Sequence, residues 1–478
     1  METGRREFVK GAAWVGALAA VSGPAAAAGG AGKLSAPGSM TLYADKPLAK
    51  VRTGHVGLGM RGPGAVHRIA SIPGAEVTAL CDLYENRVKR QQDWLAKNGK
   101  PAAKEYSGPE GYKALCESSD IDLVYVTTPW ALHAPVALYA MEHGKHVAIE
   151  VPSAMSLDEC WALVETSERT GRHCMQLENC CYGEIEMLTL NMVRQGLFGE
   201  LVHAEGAYIH DLRGLMYRDP AKGGYQDWWR LRWNVAHQGN CYPTHGLVPL
   251  MQHFGVNRGD RFDYLTCVAS AQIGMDLYAE TAFAEDAWQR KKLAPQRGDM
   301  STTVIRTERG RTIMVQHDVT SARPYSRIQL LSGTRGIIKD YPFEVALADK
   351  PGGGAHSWFD PKRREEIRAK YKHPLWKTAG ELAKKIGGHG GMDFLMDLRL
   401  CYCLQNGLPL DMDVYDLAAS CSLCELTERS ARNRGATQDV PDFTRGAWKS
   451  NPPIGIVDID LAKLGFGEVK KDEAQLTV

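Results

Sequence analysis

The run Gly57-Leu58-Gly59-Met60-Arg61-Gly62 constrains this chain more than any other feature. It sits where an apolar, strand-like stretch from Val51 to Gly57 gives way to a helix-like one from Pro63 to Ile72. Glycines at those three places permit a sharp turn, close backbone approach to a pyrophosphate, and tight packing of helix on strand. The phosphates then rest on the amides of the helix N-terminus. Asp82 closes the next strand-like run, Ala75 to Cys81, twenty residues after Gly62, where a carboxylate would bond the adenosine ribose hydroxyls. A negative charge there repels a 2′-phosphate, which favours NAD over NADP. A tight structural turn could use the same glycines, but strand, glycines, helix and acid in this order point to a dinucleotide site.

The alternation continues beyond Asp82. Helix-like segments at Glu85 to Lys97, Pro135 to His143 and Ser156 to Thr170 interleave with strand-like ones at Ile121 to Thr127, His146 to Glu150 and His173 to Leu177. Such spacing predicts a doubly wound parallel sheet. After about Cys180 the pattern changes. A helix is expected at Glu184 to Gln195, then strands at Leu201 to Tyr208, Arg261 to Ala271, Ser301 to Thr307, Thr312 to Asp318 and Ser326 to Ser332. Short turns such as Glu308-Arg309-Gly310-Arg311, without crossover helices, predict a mostly antiparallel sheet. Helices return at Gly391 to Gln405 and Val414 to Arg432. The expected fold class is α/β: an N-terminal Rossmann domain with a doubly wound parallel sheet over 51–180, then a C-terminal α+β domain with a mostly antiparallel sheet over 181–478.

The 57 Lys and Arg nearly balance the 56 Asp and Glu, and 44% of the chain is hydrophobic. This composition excludes disordered, collagen-like and membrane-bundle classes, and no basic stripe recommends nucleic acid or anionic lipid as a partner. Residues 1–28 read as an export signal: Arg5-Arg6, Phe8-Val9-Lys10, an apolar run from Gly11 to Val21, and Ala26-Ala27-Ala28 for cleavage. The pattern resembles a twin-arginine signal with Gly4 in the usual Ser or Thr place; a generic secretory signal is the alternative. The apolar run falls short of the ~20 residues that span a bilayer, so no stable membrane insertion is expected. The expected partner is the twin-arginine export machinery, and the expected location is the periplasm, reached after folding in the cytoplasm. Cleavage removes three basic and two acidic residues; 57 less 3 and 56 less 2 leave 54 of each sign. Residues 29–50, rich in Gly, Ala, Ser and Pro, read as a linker or arm.

The twelve cysteines fit neither a disulfide framework nor a metal site. Cys180 and Cys181 are adjacent, Cys401 and Cys403 are two apart, and Cys421-x-x-Cys424 has no second pair to complete a zinc set. Buried free thiols are expected, as suits a protein that folds in a reducing compartment. Ligands in doubly wound sheets bind beyond the carboxyl ends of the strands, which singles out Thr127 to His133 and Glu150-Val151-Pro152. Taken alone, His133 could equally cap a helix or fill the core, and Glu150 could be a solvated strand end.

From about Val51 onward the chain resembles the glucose-fructose oxidoreductase and inositol dehydrogenase superfamily, and within it glycoside hydrolase family 109, the NAD-dependent α-N-acetylgalactosaminidases. The phrases that carry the resemblance are GLGMRGPG at 57–64, ALCDLY at 79–84, YAMEHGKHVAIEVP at 139–152, LENCCYG at 177–183, HAEGAYIHDLR at 203–213, WWRLRWN at 228–234 and YPTHGL at 242–247. The superfamily's dehydrogenases carry Glu-Lys-Pro where this chain has Glu150-Val151-Pro152, so the lysine that serves hydride transfer there is absent.

The resemblance implies NAD contacts from Gly57, Gly59, Met60, Arg61, Gly62, Asp82, Trp130, Ala131, Leu132, His133, Glu150, Val151, Asn179 and the segment Tyr242-Pro243-Thr244-His245, and it implies no metal. It implies substrate contacts from Tyr208, Arg230, Tyr242 and Tyr325, whose phenols and guanidinium suit a neutral sugar. Read without it, Tyr208 could be strand core, Arg230 could pair with a carboxylate, and Trp228 and Trp229 read as wall. The implied reaction is hydrolysis of terminal α-linked N-acetylgalactosamine with retention, through transient oxidation at C3, C1–C2 elimination, water addition and re-reduction. His245 and Tyr242 are the candidates for proton transfer. The resemblance also suggests a homodimer through the open sheet face. Two other readings stand beside this one: an exported NAD(P)-dependent sugar or polyol oxidoreductase, and a non-catalytic nucleotide or sugar sensor.

Overall fold

The computed structural model describes residues 38–290, 298–350 and 352–466, and the expected export signal over 1–28 lies outside the described residues. Six parallel strands form the first sheet: β1 (Val51–Val56), β2 (Ala75–Asp82), β3 (Lys104–Ser107), β4 (Leu123–Val126), β5 (His146–Ile149) and β6 (Cys174–Gln176). Their spatial order is β3-β2-β1-β4-β5-β6, so the winding reverses between β1 and β4 and opens a crevice at the carboxyl ends there. Val124, Tyr125 and Val126 are fully buried, as expected of a strand covered on both faces. The crossover helix Leu157–Thr170 begins where the Ser156 hydroxyl accepts the Glu159 amide, and stops at Gly171 with φ of 60°. Strand β3 and the helix Gly111–Glu117 are additions to the elements read from sequence.

The second sheet has eight strands: β7 (Leu201–Ile209), β8 (Phe262–Ala269), β9 (Met300–Thr307), β10 (Thr312–Asp318), β11 (Leu330–Gly333), β12 (Gly336–Lys339), β13 (Glu344–Leu347) and β14 (Gln438–Asp439). Their order is β13-β12-β11-β7-β10-β9-β8-β14. Every neighbouring pair is antiparallel except the central one, β7 with β10, which is parallel from His203↔Thr312 to Ile209↔Asp318. The expectation of short turns without helices is corrected here. A parallel pair needs a long connection, and the chain leaves β7 through the helices Trp229–Ala236 and Thr244–Phe254 before entering β8. The second of these lies directly on β7. A Cβ built on Gly206 would fall 2.0 Å from the Gly246 carbonyl oxygen, so glycines on both sides let backbone meet backbone. That contact fixes where the first turn of the helix, with His245, sits against the sheet.

The late helices Met392–Asn406 and Val414–Arg432 pack back on the parallel sheet. Buried Asp397 accepts from Arg68 Nε at 2.6 Å and from the Tyr125 hydroxyl at 2.8 Å, and the Ser420 hydroxyl donates to Gln176 at 3.1 Å. Removing one partner of such a buried charge pair costs about 3–5 kcal/mol, so the helix that begins at Met392 is held firmly over the crevice. The described part of the 29–50 segment is an arm laid on this body. The Met40 amide donates to the Tyr415 hydroxyl, Tyr43 to the Gly171 carbonyl at 2.9 Å, and Arg172 pairs with Asp45 at 2.9 Å. All twelve cysteines are free and buried, as expected.

Candidate active site

The glycine loop is shaped by contacts that exclude side chains at two positions and by open space at the third. A Cβ on Gly57, where φ is 96°, would meet the Thr127 carbonyl at 2.7 Å, and one on Gly62 would lie 2.1 Å from the Gly57 oxygen. On Gly59 it would meet only Arg87 Nη1 at 3.7 Å, which leaves the room that a pyrophosphate needs above the helix Gly62–Ile69. Asp82 ends β2 and accepts the Leu58 amide at 2.6 Å and the Tyr84 amide at 2.9 Å, so it fixes the loop. Oδ1 also receives Arg87 Nη1 at 3.5 Å, while Oδ2, with the Leu58 amide alone, keeps a second lone pair for a ribose hydroxyl. The residues present therefore fit NAD.

Beyond the loop, Arg61 pairs with Glu150 at 2.7 Å and with Asp393 at 3.2 Å. Asp393 also accepts from Asn179 at 2.6 Å. Burial alone would raise the Asp393 pKa, but His389, Arg61 and Arg68 outweigh it and hold the carboxyl far below the usual range. Met60 and Leu132 keep apolar side chains exposed, and Ala131 is also exposed. Val151 is buried in the same apolar cluster as Trp130. The His133 ring is buried with its nitrogens 2.7 Å from the carbonyls of Pro152 and Thr128, which braces the two segments beyond β4 and β5 against each other.

The sugar side is a cleft of about 510 Å³ lined by Asn179, Tyr208, His210, His245, Tyr325 and His389 among others. Tyr208 comes from the carboxyl end of β7, and Tyr242 lies just before the helix Thr244–Phe254 that carries His245. Pro243 and Thr244 between them are buried. His245 Nδ1 stands 2.7 and 3.0 Å from the two oxygens of Glu178, which follows β6 and is fully buried. An ionised carboxylate only accepts, so Nδ1 donates and the neutral ring keeps its lone pair on Nε2, 3.5 Å from the Tyr242 hydroxyl. Burial would raise the Glu178 pKa; His245 and the Cys180 amide overcome this and lower it, so the anion is the resident form.

Tyrosine rings crowd this dyad. Tyr208 lies 4.7 Å from Tyr242 and 5.2 Å from His245 between centroids, the latter nearly perpendicular, and Tyr325 is 6.3 Å from Tyr208. Burial drives the Tyr208 and Tyr242 phenols up, with Arg230 opposing it, so both remain protonated donors. The buried Arg230 guanidinium lies 5.1 Å over Trp130, 5.1 Å over Tyr242 and 5.6 Å over Tyr225. It donates to the Tyr225 hydroxyl at 3.0 Å, while its Nε is buried without a partner. Tyr325 accepts from Arg327, which is itself locked to Glu186 at 2.5 Å.

Tyr208, Arg230, Tyr242, His245 and Tyr325 thus come together from widely separated parts of the chain. Glu178, Asp393 and His389 were not read from sequence. Glu178 was within reach, as the acid directly after the last parallel strand in LENCCYG. Glu178, Cys180 and His245 have ligand-type atoms within 4.8 Å of one another. The Nδ1–H is donated to ionised Glu178, however, and burial drives the Cys180 thiol well up, so this group is a hydrogen-bonded dyad beside a neutral thiol.

The family model described as Glycosyl hydrolase 109, C-terminal domain, matches residues 182–450. The chain belongs to glycosyl hydrolase family 109. A second model, described as Oxidoreductase family, NAD-binding Rossmann fold, matches residues 51–177. An α-N-acetylgalactosaminidase of Bacteroides fragilis is 47% identical over 406 residues, covering 85% of this chain and 95% of that one. A family 109 protein of Shewanella amazonensis is 46% identical over 456 residues, 95% of this chain and 99% of that one. Among solved structures, levoglucosan dehydrogenase in complex with NADH and levoglucosan matches with a TM-score of 0.60 at 18% identity, across 82% of this chain and all of that one. That likeness concerns the fold. As a family 109 member the chain is a glycoside hydrolase with an NAD-binding domain, and NAD is its cofactor.

Proposed function

We infer that the protein releases terminal α-linked N-acetylgalactosamine from glycans, by a retaining route in which the sugar is oxidised at C3, loses its aglycone by C1–C2 elimination, takes up water and is reduced again. The observation that carries this reading is that one tyrosine-lined cleft holds His245, backed by Glu178 and Tyr242, together with Asn179, whose partner Asp393 ties it to Arg61 of the glycine loop. Ordinary glycosidases need a free pair of carboxylates across the scissile bond. Of the three carboxylates lining the cleft, Glu186 is bound to Arg327 and Glu184 pairs with Arg368, which leaves Asp340 without a second free carboxylate and supports a redox-assisted route instead. The 47% identity to a protein named α-N-acetylgalactosaminidase supports the choice of sugar.

When bound, NAD supplies a reversible hydride acceptor at its nicotinamide ring. The chain's own residues handle protons and charge. His245 Nε2 is the base: it takes the C3 hydroxyl proton, relayed by the protonated Tyr242 phenol as that passes on its own, gives it up to solvent, and then takes the C2 proton that a C3 ketone acidifies. Glu178 stabilises the imidazolium that results. Arg230, with Tyr208 and Tyr242, binds sugar oxygens and offsets the negative charge of the enolate. Twin-arginine export to the periplasm belongs to the same proposal, supported by twelve buried free thiols that suit cytoplasmic folding. A panel of α- and β-linked nitrophenyl N-acetylhexosaminides tests the activity. Multiple turnovers on the α-galacto substrate without added oxidant are expected; stoichiometric reduced cofactor or an oxidised sugar product would favour an oxidoreductase.

A further inference from the structure

The segment from Tyr225 to Ala236 touches both banks of the cofactor crevice, and only its Arg230 has a part in the reading above. It starts with a tight kink, Gln226–Trp228, ahead of the helix Trp229–Ala236. In the kink, the Gln226 side-chain oxygen accepts a hydrogen bond from Arg87 Nη2 at 3.1 Å. Arg87 stands on the helix Glu85–Lys97 that follows β2, with Nη1 3.5 Å from the Asp82 carboxylate and 3.7 Å from the place of a Cβ on Gly59. On the helix, Trp229 and Trp233 set their rings nearly perpendicular to Trp130, at 5.1 and 6.0 Å between centroids, and Arg230 lies over the same indole. Trp130 follows β4.

In the first sheet β1 lies between β2 and β4. A segment bonded to the residues after β2 and to those after β4 therefore spans the carboxyl end of β1, where the glycine loop receives a pyrophosphate. Two strand spacings are about 10 Å, a gap that Gln226 to Trp229 can bridge with their side chains. The kink is also strained. Asp227 and Trp228 have φ of 51° and 49°, a conformation that is costly for a tryptophan above all. Local bonds impose it: the Trp228 amide donates to the Tyr225 carbonyl at 2.9 Å, Arg232 Nε donates to the Asp227 carbonyl at 2.9 Å, and Arg230 donates to the Tyr225 hydroxyl at 3.0 Å. Strain over-determined in this way is characteristic of ligand clamps.

We propose that Tyr225 to Ala236 form a strap across bound NAD and that Gln226 is its clasp, a positioning residue that sets how fast the cofactor enters and leaves. The bond to Arg87 runs from protein to protein, so it holds the strap closed and adds nothing direct to NAD affinity. Opening it is a step on the path both in and out. Its loss therefore speeds release and entry together and leaves their ratio, the Kd, nearly in place. The strap needs only the NAD site, not the elimination route, so product without C2 exchange would leave the release rates as predicted.

The test compares wild type with Gln226→Ala, a change at a partly exposed side chain. Holoenzyme loaded with radiolabelled NAD is chased with unlabelled NAD, and the retained label is counted over time; equilibrium dialysis of the same holoenzyme gives the Kd. Release is expected to quicken about tenfold, the effect of one hydrogen bond to a charged group, with the Kd changed by less than about threefold. In an Arg87→Ala background the same substitution should add no further acceleration, because the clasp is already gone. Release within about twofold of wild type would overturn the proposal, since it falls short of the range for such a bond. A Kd that rises in step with the release rate would overturn it too, by making Gln226 a contact to the cofactor. So would a full further acceleration in the absence of Arg87. If thermal unfolding shows Gln226→Ala to be misfolded, Gln226→Asn, which keeps the amide one methylene too short to reach Arg87, carries the same comparison.

Discussion

Replacing Glu178 by Gln isolates the bond on which His245 depends. Glu178 is fully buried, holds His245 Nδ1 at 2.7 Å and accepts the Cys180 amide at 3.0 Å. Glutamine keeps the shape and can still accept the Cys180 amide through its oxygen, so the turn after β6 is preserved. It loses the negative charge that stabilises an imidazolium in a buried site. Hydrogen bonds to charged groups contribute about 1.5–3 kcal/mol, and if that stabilisation is realised in the transition state the loss of turnover is roughly 10- to 150-fold. Steady-state kinetics on an α-linked nitrophenyl N-acetylgalactosaminide, at saturating NAD, should show the fall in kcat, with NAD affinity changed far less. A kcat within about twofold of wild type, well under the range for a charged hydrogen bond, would refute the assignment of His245 as a proton acceptor supported by Glu178.

Gly59→Ala and Gly62→Ala should separate binding from folding. The first adds a methyl in open space and should weaken NAD binding in titration while leaving the apo Tm in place; the second meets the Gly57 oxygen at 2.1 Å and should lower both. Acid stability should follow the depressed carboxylates Glu178, Asp45 and Asp393. Their folded-state pKa values lie below the unfolded ones of about 4, so the stability they give is complete above that pH and is lost as the pH falls. Thermal melts from pH 6 to pH 3, by which the unfolded chain takes up protons the native state refuses, should show Tm falling steeply below about pH 4; a flat Tm would contradict these pairings. Burial raises the thiols of Cys81, Cys116 and Cys403 to about 12, so an aromatic disulfide reagent should label the native protein slowly and all twelve cysteines after denaturation. Rapid native labelling would show that the core opens.

What the sequence reveals here follows physical range. Strands β4 and β5, Leu-Val-Tyr-Val and His-Val-Ala-Ile, were readable because a strand buried on both faces is nearly all apolar, while β1 and β2, which carry polar residues such as Arg52 and Glu76, were readable with the loop because three glycines and an acid sit within one βαβ unit. Strand β3, Lys104-Glu105-Tyr106-Ser107, is a short polar edge and has no such pattern. The helix Pro361–Tyr371 buries none of its residues, so its pattern shows no apolar face to read. The tyrosines and arginine of the cleft came from resemblance in local phrases. Asp393 did not, because its partner Asn179 is 214 residues away and only the fold joins them. The parallel pairing of β7 with β10 was hidden for a related reason: hydrophobic alternation reports which face of a strand is buried and says nothing of its neighbour's direction.

The central claim is that the sugar is opened at C2 in every turnover. Hydrolysis of an α-linked nitrophenyl N-acetylgalactosaminide in heavy water, with NMR of the released N-acetylgalactosamine, tests it most directly. The account predicts product carrying deuterium at C2, formed over many turnovers without added oxidant. Product that retains its original C2 hydrogen would contradict it.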